Sequence, residues 1–133
     1  MKKIVSLLIL VACFFSVGFV NNQKCSAGSV SWLLASTGHD EYNKGHYEDA
    51  IRLLNEALPG LNDASSKPQR QKALCWLGDT YAVGYNNYEK AIEYYNQAIS
   101  IDVRNKYTPV MYSDRGTSNL RLGNYEKAIY EFL

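Results

Sequence analysis

Few side chains in this chain of 133 residues offer chemistry, and their neighbours decide what that chemistry is. Cys75 and His39 would make a nucleophile and its base if a fold carried them to one face. A helix-packed cysteine and a surface histidine is the competing reading, and it is favoured. Asp79 and Asp114 would approach each other if they fell on adjacent helices; a solvated, groove-lining role is favoured there over an acid and base pair. No metal-spaced Cys or His cluster, nucleophile elbow, Gly-x-Gly-x-x-Gly segment or Walker loop occurs. The expectation is therefore a protein that is not an enzyme, with no cofactor and no metal. Eleven tyrosines, all from Tyr42 onward, are the other conspicuous supply of functional groups. Most of them fall where helix packing accounts for them, leaving Tyr94, Tyr107 and Tyr130 less constrained.

The elements that must position these groups follow from composition and period. A chain that is 47% hydrophobic and 20% charged belongs to the globular class, with room for one modest domain. The formal net charge of +1, with no basic run, excludes the electrostatic footprint of a nucleic-acid binder.

The N-terminus differs from the rest. Met1, Lys2 and Lys3 precede an apolar run from Ile4 to Val20 broken by Ser6, Ser16 and Gly18, the layout of a secretory signal. Three outcomes stay open for residues 1–27. Cys25-Ser26-Ala27 offers small residues for a signal peptidase. Leu10-Val11-Ala12-Cys13 resembles a lipobox whose Cys13 would be acylated. An uncleaved anchor is the third, although the run is at the short edge for spanning a bilayer. Each outcome implies an exported protein, periplasmic or in the cell envelope, touching the membrane only through this segment. Cleavage after Ala27 leaves 11 basic and 13 acidic residues and Cys75 as the one cysteine, so no disulfide framework is expected.

Self-similarity organises residues 28–133. His46-Tyr47-Glu48-Asp49-Ala50-Ile51 returns as Asn87-Tyr88-Glu89-Lys90-Ala91-Ile92 and again as Asn124-Tyr125-Glu126-Lys127-Ala128-Ile129. Upstream stand Gly38/Gly45, Gly78/Gly84 and Gly116/Gly123. Downstream, Leu54 and Ala57 follow Ala50, and Tyr95 and Ala98 follow Ala91, steps that place the three side chains on one helical face. Each copy reads as two antiparallel helices joined by a turn at Gly-x-Tyr. Glycine inside a helix costs up to about 1 kcal/mol relative to alanine, so Gly38, Gly78 and Gly116 predict close approach of the partner helix. The extra residues between copies fall in Pro59 to Pro68, in the Tyr85-Asn86-Asn87 turn and in Val103 to Thr108.

These residues resemble the tetratricopeptide repeat. The middle copy carries the pattern best, with Leu74, Leu77-Gly78, Tyr81, Gly84, Tyr88, Ala91, Tyr95 and Ala98. The third departs at Arg115 and Asn119, and the first at Thr37 and Glu41. The long middle turn is similar to the Sel1-like repeat, the near alternative. The resemblance implies an all-α, right-handed superhelical array of helix pairs, about 31–60, 68–102 and an incomplete 109–133. It also implies a scaffold that holds a polypeptide in a concave groove lined by the first helices.

Carried over by position, the groove comprises Trp32, Ser36, His39 and Asn43; Lys72, Cys75, Trp76, Asp79 and Val83; and Val110, Ser113, Asp114, Thr117 and Arg121. Trp76 is either an aromatic anchor for the ligand or a residue buried against the first copy. The family's carboxylate-clamp set of Lys, Asn and Arg is absent, so chaperone C-terminal tails are not the expected ligand. The third copy stops at Phe132-Leu133 without a polar capping helix. A fragment of a longer signalling protein or protease, in which this stretch senses or recruits, is therefore the alternative to a self-contained scaffold.

Export is directly measurable. The intact mass of the native protein is expected to lack the N-terminal residues or to carry a lipid on Cys13; a full chain retaining Met1 in the cytosol would overturn it.

Overall fold

A computed structural model describes residues 27–133; the processing expectations for the residues before Ala27, lipidation of Cys13 among them, lie outside the described residues. The described chain forms six α-helices and no strand: α1 (Ala27–Asn43), α2 (Tyr47–Ala57), α3 (Lys67–Tyr85), α4 (Tyr88–Ser100), α5 (Thr108–Arg121) and α6 (Tyr125–Phe132). They pair as α1/α2, α3/α4 and α5/α6, and successive pairs stack. First helices touch first helices, α1 on α3 and α3 on α5, while α2 and α4 pack chiefly on the first helices to either side. The inner face of the array is therefore built from α1, α3 and α5. Helix α1 begins earlier than the first copy's expected start because its opening turn is covered. A β-carbon on Gly60 would lie 1.9 Å from the Ser31 hydroxyl oxygen, so the connector packs directly on α1.

Turn chemistry explains why each pair folds back. Gly45 (φ +81°) follows α1, with Gly45 N–H donating to the Tyr42 carbonyl at 2.9 Å and His46 N–H to that of Glu41 at 2.9 Å. Gly123 (φ +76°) repeats the motif, with Asn124 N–H donating to the Asn119 carbonyl at 2.8 Å. In the middle pair the left-handed residue is Asn86 (φ 51°) rather than Gly84, which remains inside α3. The extra residue is absorbed by a wider closure, Asn87 N–H to the Tyr81 carbonyl at 3.0 Å. Each second helix still starts two residues past its left-handed residue, at Tyr47, Tyr88 and Tyr125. Gly84 serves a different end: a β-carbon there would lie 2.5 Å from the ring of Tyr47, which the first pair inserts against α3.

Both connectors are ordered. Pro59 begins a 3₁₀ turn at Leu58–Leu61, whose Leu61 is buried. Asp63 then caps a second turn by accepting from Ser66 N–H at 2.8 Å. At the next joint Gln71, 1% exposed, donates to the carbonyls of Ala98 and Val103, each at 3.2 Å, and accepts from Asn105 Nδ2 at 2.9 Å. A buried amide with that many partners meets most of its hydrogen-bonding requirement.

The core is two clusters that share α3. Ala35, Leu54, Ala57, Leu61, Ala73, Trp76 and Leu77 fill the joint with the first pair; Leu74, Cys75, Ala91, Tyr95, Ala98 and Met111 fill the other side. Helix α3 is therefore buried nearly all round, which accounts for its lack of a polar face. The mid-helix glycines lie at the helix contacts, as their spacing predicts. A β-carbon on Gly38 would meet Leu54 at 2.9 Å, on Gly78 the Tyr95 ring at 2.5 Å, and on Gly116 the Phe132 ring at 2.9 Å.

The three contacts differ in how far the neighbour can yield. Tyr95 is buried and hydrogen-bonded, whereas Phe132 is half exposed near the end of α6. Gly78→Ala should lower stability by about 1–3 kcal/mol from overpacking, outweighing a helix-propensity gain of about 1 kcal/mol. Gly116→Ala should leave the urea midpoint unchanged or raised. Equal losses for the two variants would contradict the role given to Tyr95.

Candidate functional site: the concave face

Three zones lie along the inner face. The first is an aromatic stack between α1 and α3. Trp76 lies between the rings of Trp32 (centroids 5.6 Å apart, 19°) and His39 (4.2 Å, 11°), and is 9% exposed. Of its two readings, burial against the first copy is the one the geometry takes, because α1 presents a flat ring on either side of it. His39 also stacks on Tyr42 at 5.8 Å, and contacts continue through Tyr47, Tyr85 and Tyr81 to Tyr94. Burial pushes the His39 imidazole below its ordinary value, and its Nδ1 has no hydrogen-bond partner.

Lys72 closes the open end of the stack. Its ammonium lies 5.6 Å from the Trp32 ring centroid, 5.0 Å from that of Trp76 and 4.5 Å from that of Tyr107, the range of cation–π attraction. It also donates to the Tyr107 hydroxyl at 3.2 Å, which lowers the phenol's proton affinity. Beside it opens a pocket of about 270 Å³ bounded by Trp32, Pro68, Gln69, Lys106 and Tyr107. Tyr107 and Lys106 do not belong to the groove set carried over from the repeat pattern. They lie in the lengthened connector before α5, where the repeat spacing provides no register.

The second zone is acidic. Asp79 accepts from the Tyr95 hydroxyl at 2.8 Å, and one ligand atom each from Cys75, Asp79 and Asp114 lies within 4.8 Å of the others. The approach of Asp79 and Asp114 across α3 and α5 is the one their helix positions anticipate. Cys75 and His39 do not pair: the imidazole is stacked on Trp76, and burial raises the thiol far from reactivity. The third zone is polar and open, with Ser113, Thr117 and Arg121 exposed on α5, Asn43 exposed at the end of α1, and Val83 and Val110 exposed on the first helices.

Departures from the repeat pattern have structural employment. Glu41 accepts from Lys44 Nζ and His46 Nδ1, both at 2.7 Å, and so braces the first turn. Arg115 pairs with Glu131 at 2.7 Å and donates to Asn96 at 2.6 Å, tying α5 to both neighbours. Asn119 is buried and supplies the carbonyl that closes the third turn.

Burial lifts the Asp79 carboxyl from 3.8 to about 7, against the opposing hydrogen bond from Tyr95 and with the nearby Asp114 charge adding to the rise. Asp114 is raised by burial as well. A carboxyl whose folded value exceeds its unfolded one stabilises the fold below about pH 4 and loses that contribution as pH rises through about 7. The depressed His39 acts in the opposite sense, so the comparison must be differential. In chelator-treated buffer, Asp79→Asn should gain stability over the parent between pH 5 and pH 8, on the order of 2 kcal/mol. Parallel pH profiles for urea unfolding of the two proteins would contradict this.

Comparison with known proteins agrees with this geometry. Residues 71–103 match the family model of the tetratricopeptide repeat. The matching copy is the one whose long turn resembled the Sel1-like pattern. The crystal structure of the TPR domain of Arabidopsis FLU superposes with a TM-score of 0.71 at 20% identity, covering 79% of this chain and 91% of that one. No curated protein matches. One copy thus matches the tetratricopeptide-repeat model, the flanking copies share its glycine, alanine and aromatic positions, and all three fold as stacked helix pairs, the architecture of a tetratricopeptide-repeat domain.

Proposed function

We propose that the protein is an interaction scaffold that holds an extended polypeptide segment along α1, α3 and α5, and that it does so outside the cytoplasm. The observation that carries the binding reading is the pocket at Trp32, Lys72 and Tyr107. Its walls are apolar, and one ammonium stands at its rim. A single aliphatic or acidic side chain of a bound segment fits such a pocket, with Ser113, Thr117 and Arg121 as polar contacts farther along. No constellation for turnover accompanies it, so binding rather than catalysis is the proposed role. The extracytoplasmic part rests on the Lys-Lys start and apolar run of residues 1–20. Among the described residues no helix is long and apolar enough to cross a membrane.

Random-peptide display against the immobilised full chain, followed by anisotropy titration of a selected peptide, tests the groove. Trp32→Ala and Lys72→Ala should each weaken binding by about tenfold or more, the scale of an interface anchor. Lys90→Ala, on a second helix, should not. Trp76→Ala should instead destabilise the fold by about 3–5 kcal/mol, as truncation of a buried aromatic does. Unchanged affinity in folded Trp32→Ala and Lys72→Ala would move the site to another face.

A further inference from the structure

Cys75 and Asp79 stand one turn apart on α3, and Asp114 faces them from α5. A residue and its fourth successor share a helix face, so the thiol and carboxyl point the same way. The third donor arrives from the neighbouring first helix. The four-residue spacing of Cys75 and Asp79 announces two of the donors, and the stacking of two repeats adds the third.

Two features separate it from an ordinary cluster of acids. Cys75 is 7% exposed, its thiol has no hydrogen-bond partner, and its sulfur points at the two carboxylates. Among the described residues, neither Asp79 nor Asp114 forms an ion pair with a lysine, arginine or histidine, although both are partly buried. Partly buried carboxylates with no cation beside them are the circumstance in which a bound metal supplies the missing charge. The Tyr95 hydroxyl, donating to Asp79 at 2.8 Å, fixes that carboxylate from behind as an outer-shell partner does.

We propose that Cys75, Asp79 and Asp114 form a binding site for a zinc-type divalent cation on the floor of the concave face.

Zinc bonds of about 2.0–2.3 Å to sulfur and oxygen place tetrahedral donors roughly 3.3–3.8 Å apart. The present spread of 4.8 Å closes to that span by side-chain rotation, chiefly of the partly exposed Asp114. Mixed sulfur and oxygen donors select a borderline ion such as Zn²⁺ over Mg²⁺ or Ca²⁺, which take oxygen sets. On binding, the thiol S–H bond breaks, a sulfur–metal bond forms and the proton leaves to solvent. Three protein donors leave the fourth tetrahedral position to water. The site is independent of any polypeptide in the groove, so it is tested on the protein alone.

The test uses the full chain carrying Cys13→Ser and Cys25→Ser, which leaves Cys75 as the single thiol. Titration with Zn²⁺ against a competing chelator should show one saturable site per chain. Co²⁺ should produce a tetrahedral visible spectrum with a thiolate-to-cobalt charge-transfer band. Cys75→Ala should abolish that band, whereas Asp114→Asn should keep a weaker one. Each should lower Zn²⁺ affinity by more than about tenfold, and Tyr95→Phe by about tenfold. Circular dichroism identifies the variants that remain folded; Asp114→Asn, at a partly exposed position, provides the reading if Cys75→Ala does not fold. Absence of saturable binding, or equal affinity in parent and folded Asp114→Asn, would overturn the proposal. So would loss of binding in His46→Ala, which would place the ion at Glu41 and His46 on the surface.

Discussion

The ring of Tyr95 occupies the space that a side chain on Gly78 would fill, and the geometry of the inner face depends on that contact. Because α3 offers bare backbone at this point, α4 comes close enough for the Tyr95 hydroxyl to reach past it and hold Asp79. Asp79 is thereby kept beside Cys75, one turn earlier on the same helix, rather than swinging out to water. A larger residue at position 78 would push α4 outward, withdraw the hydroxyl and release the carboxylate. Packing of the second pair and chemistry of the groove are thus joined through one aromatic side chain.

Much of the fold was legible because the repeated residues are the ones at helix contacts. Glycine opposite a large side chain, alanine at the crossing and tyrosine beside the turn are each dictated by the distance between two backbones, so they recur wherever the pair recurs. What resisted reading depends on contacts between copies. Trp76 occupies a groove register, and only the presence of Trp32 and His39 opposite decides that it is packed. Gly84 looks like a turn glycine by spacing, yet it is a notch for Tyr47, and Asn86 makes the turn. Cys75, Asp79 and Asp114 meet only because α3 and α5 stack, a distance that local periodicity does not encode.

Polar residues do at the joints what apolar ones do within the pairs. Gln71 fastens the start of α3 to the end of α4 and the following connector, and Arg115 fastens α5 to α4 and α6. Arg70 likewise donates to the Leu58 carbonyl at 3.0 Å across the first connector. Hydrogen bonds are directional, so these links fix the rotation of one pair upon the next more tightly than apolar contact would. The connectors thereby help to set the curvature along which the first helices face inward.

Both tryptophans belong to one stack, at the junction of α1 and α3, and neither the second pair nor the third contains another. Emission excited selectively from tryptophan therefore reports a single joint of a linear array. In a stack of units held by nearest-neighbour contacts, the ends can open before the middle. Fraying of α6 would leave the indole environment untouched, and a melt followed by tryptophan emission would report chiefly the undocking of the first pair. A sharp single transition by that probe says little about the cooperativity of the whole, whereas helical ellipticity, summed over every pair, would record each loss in turn.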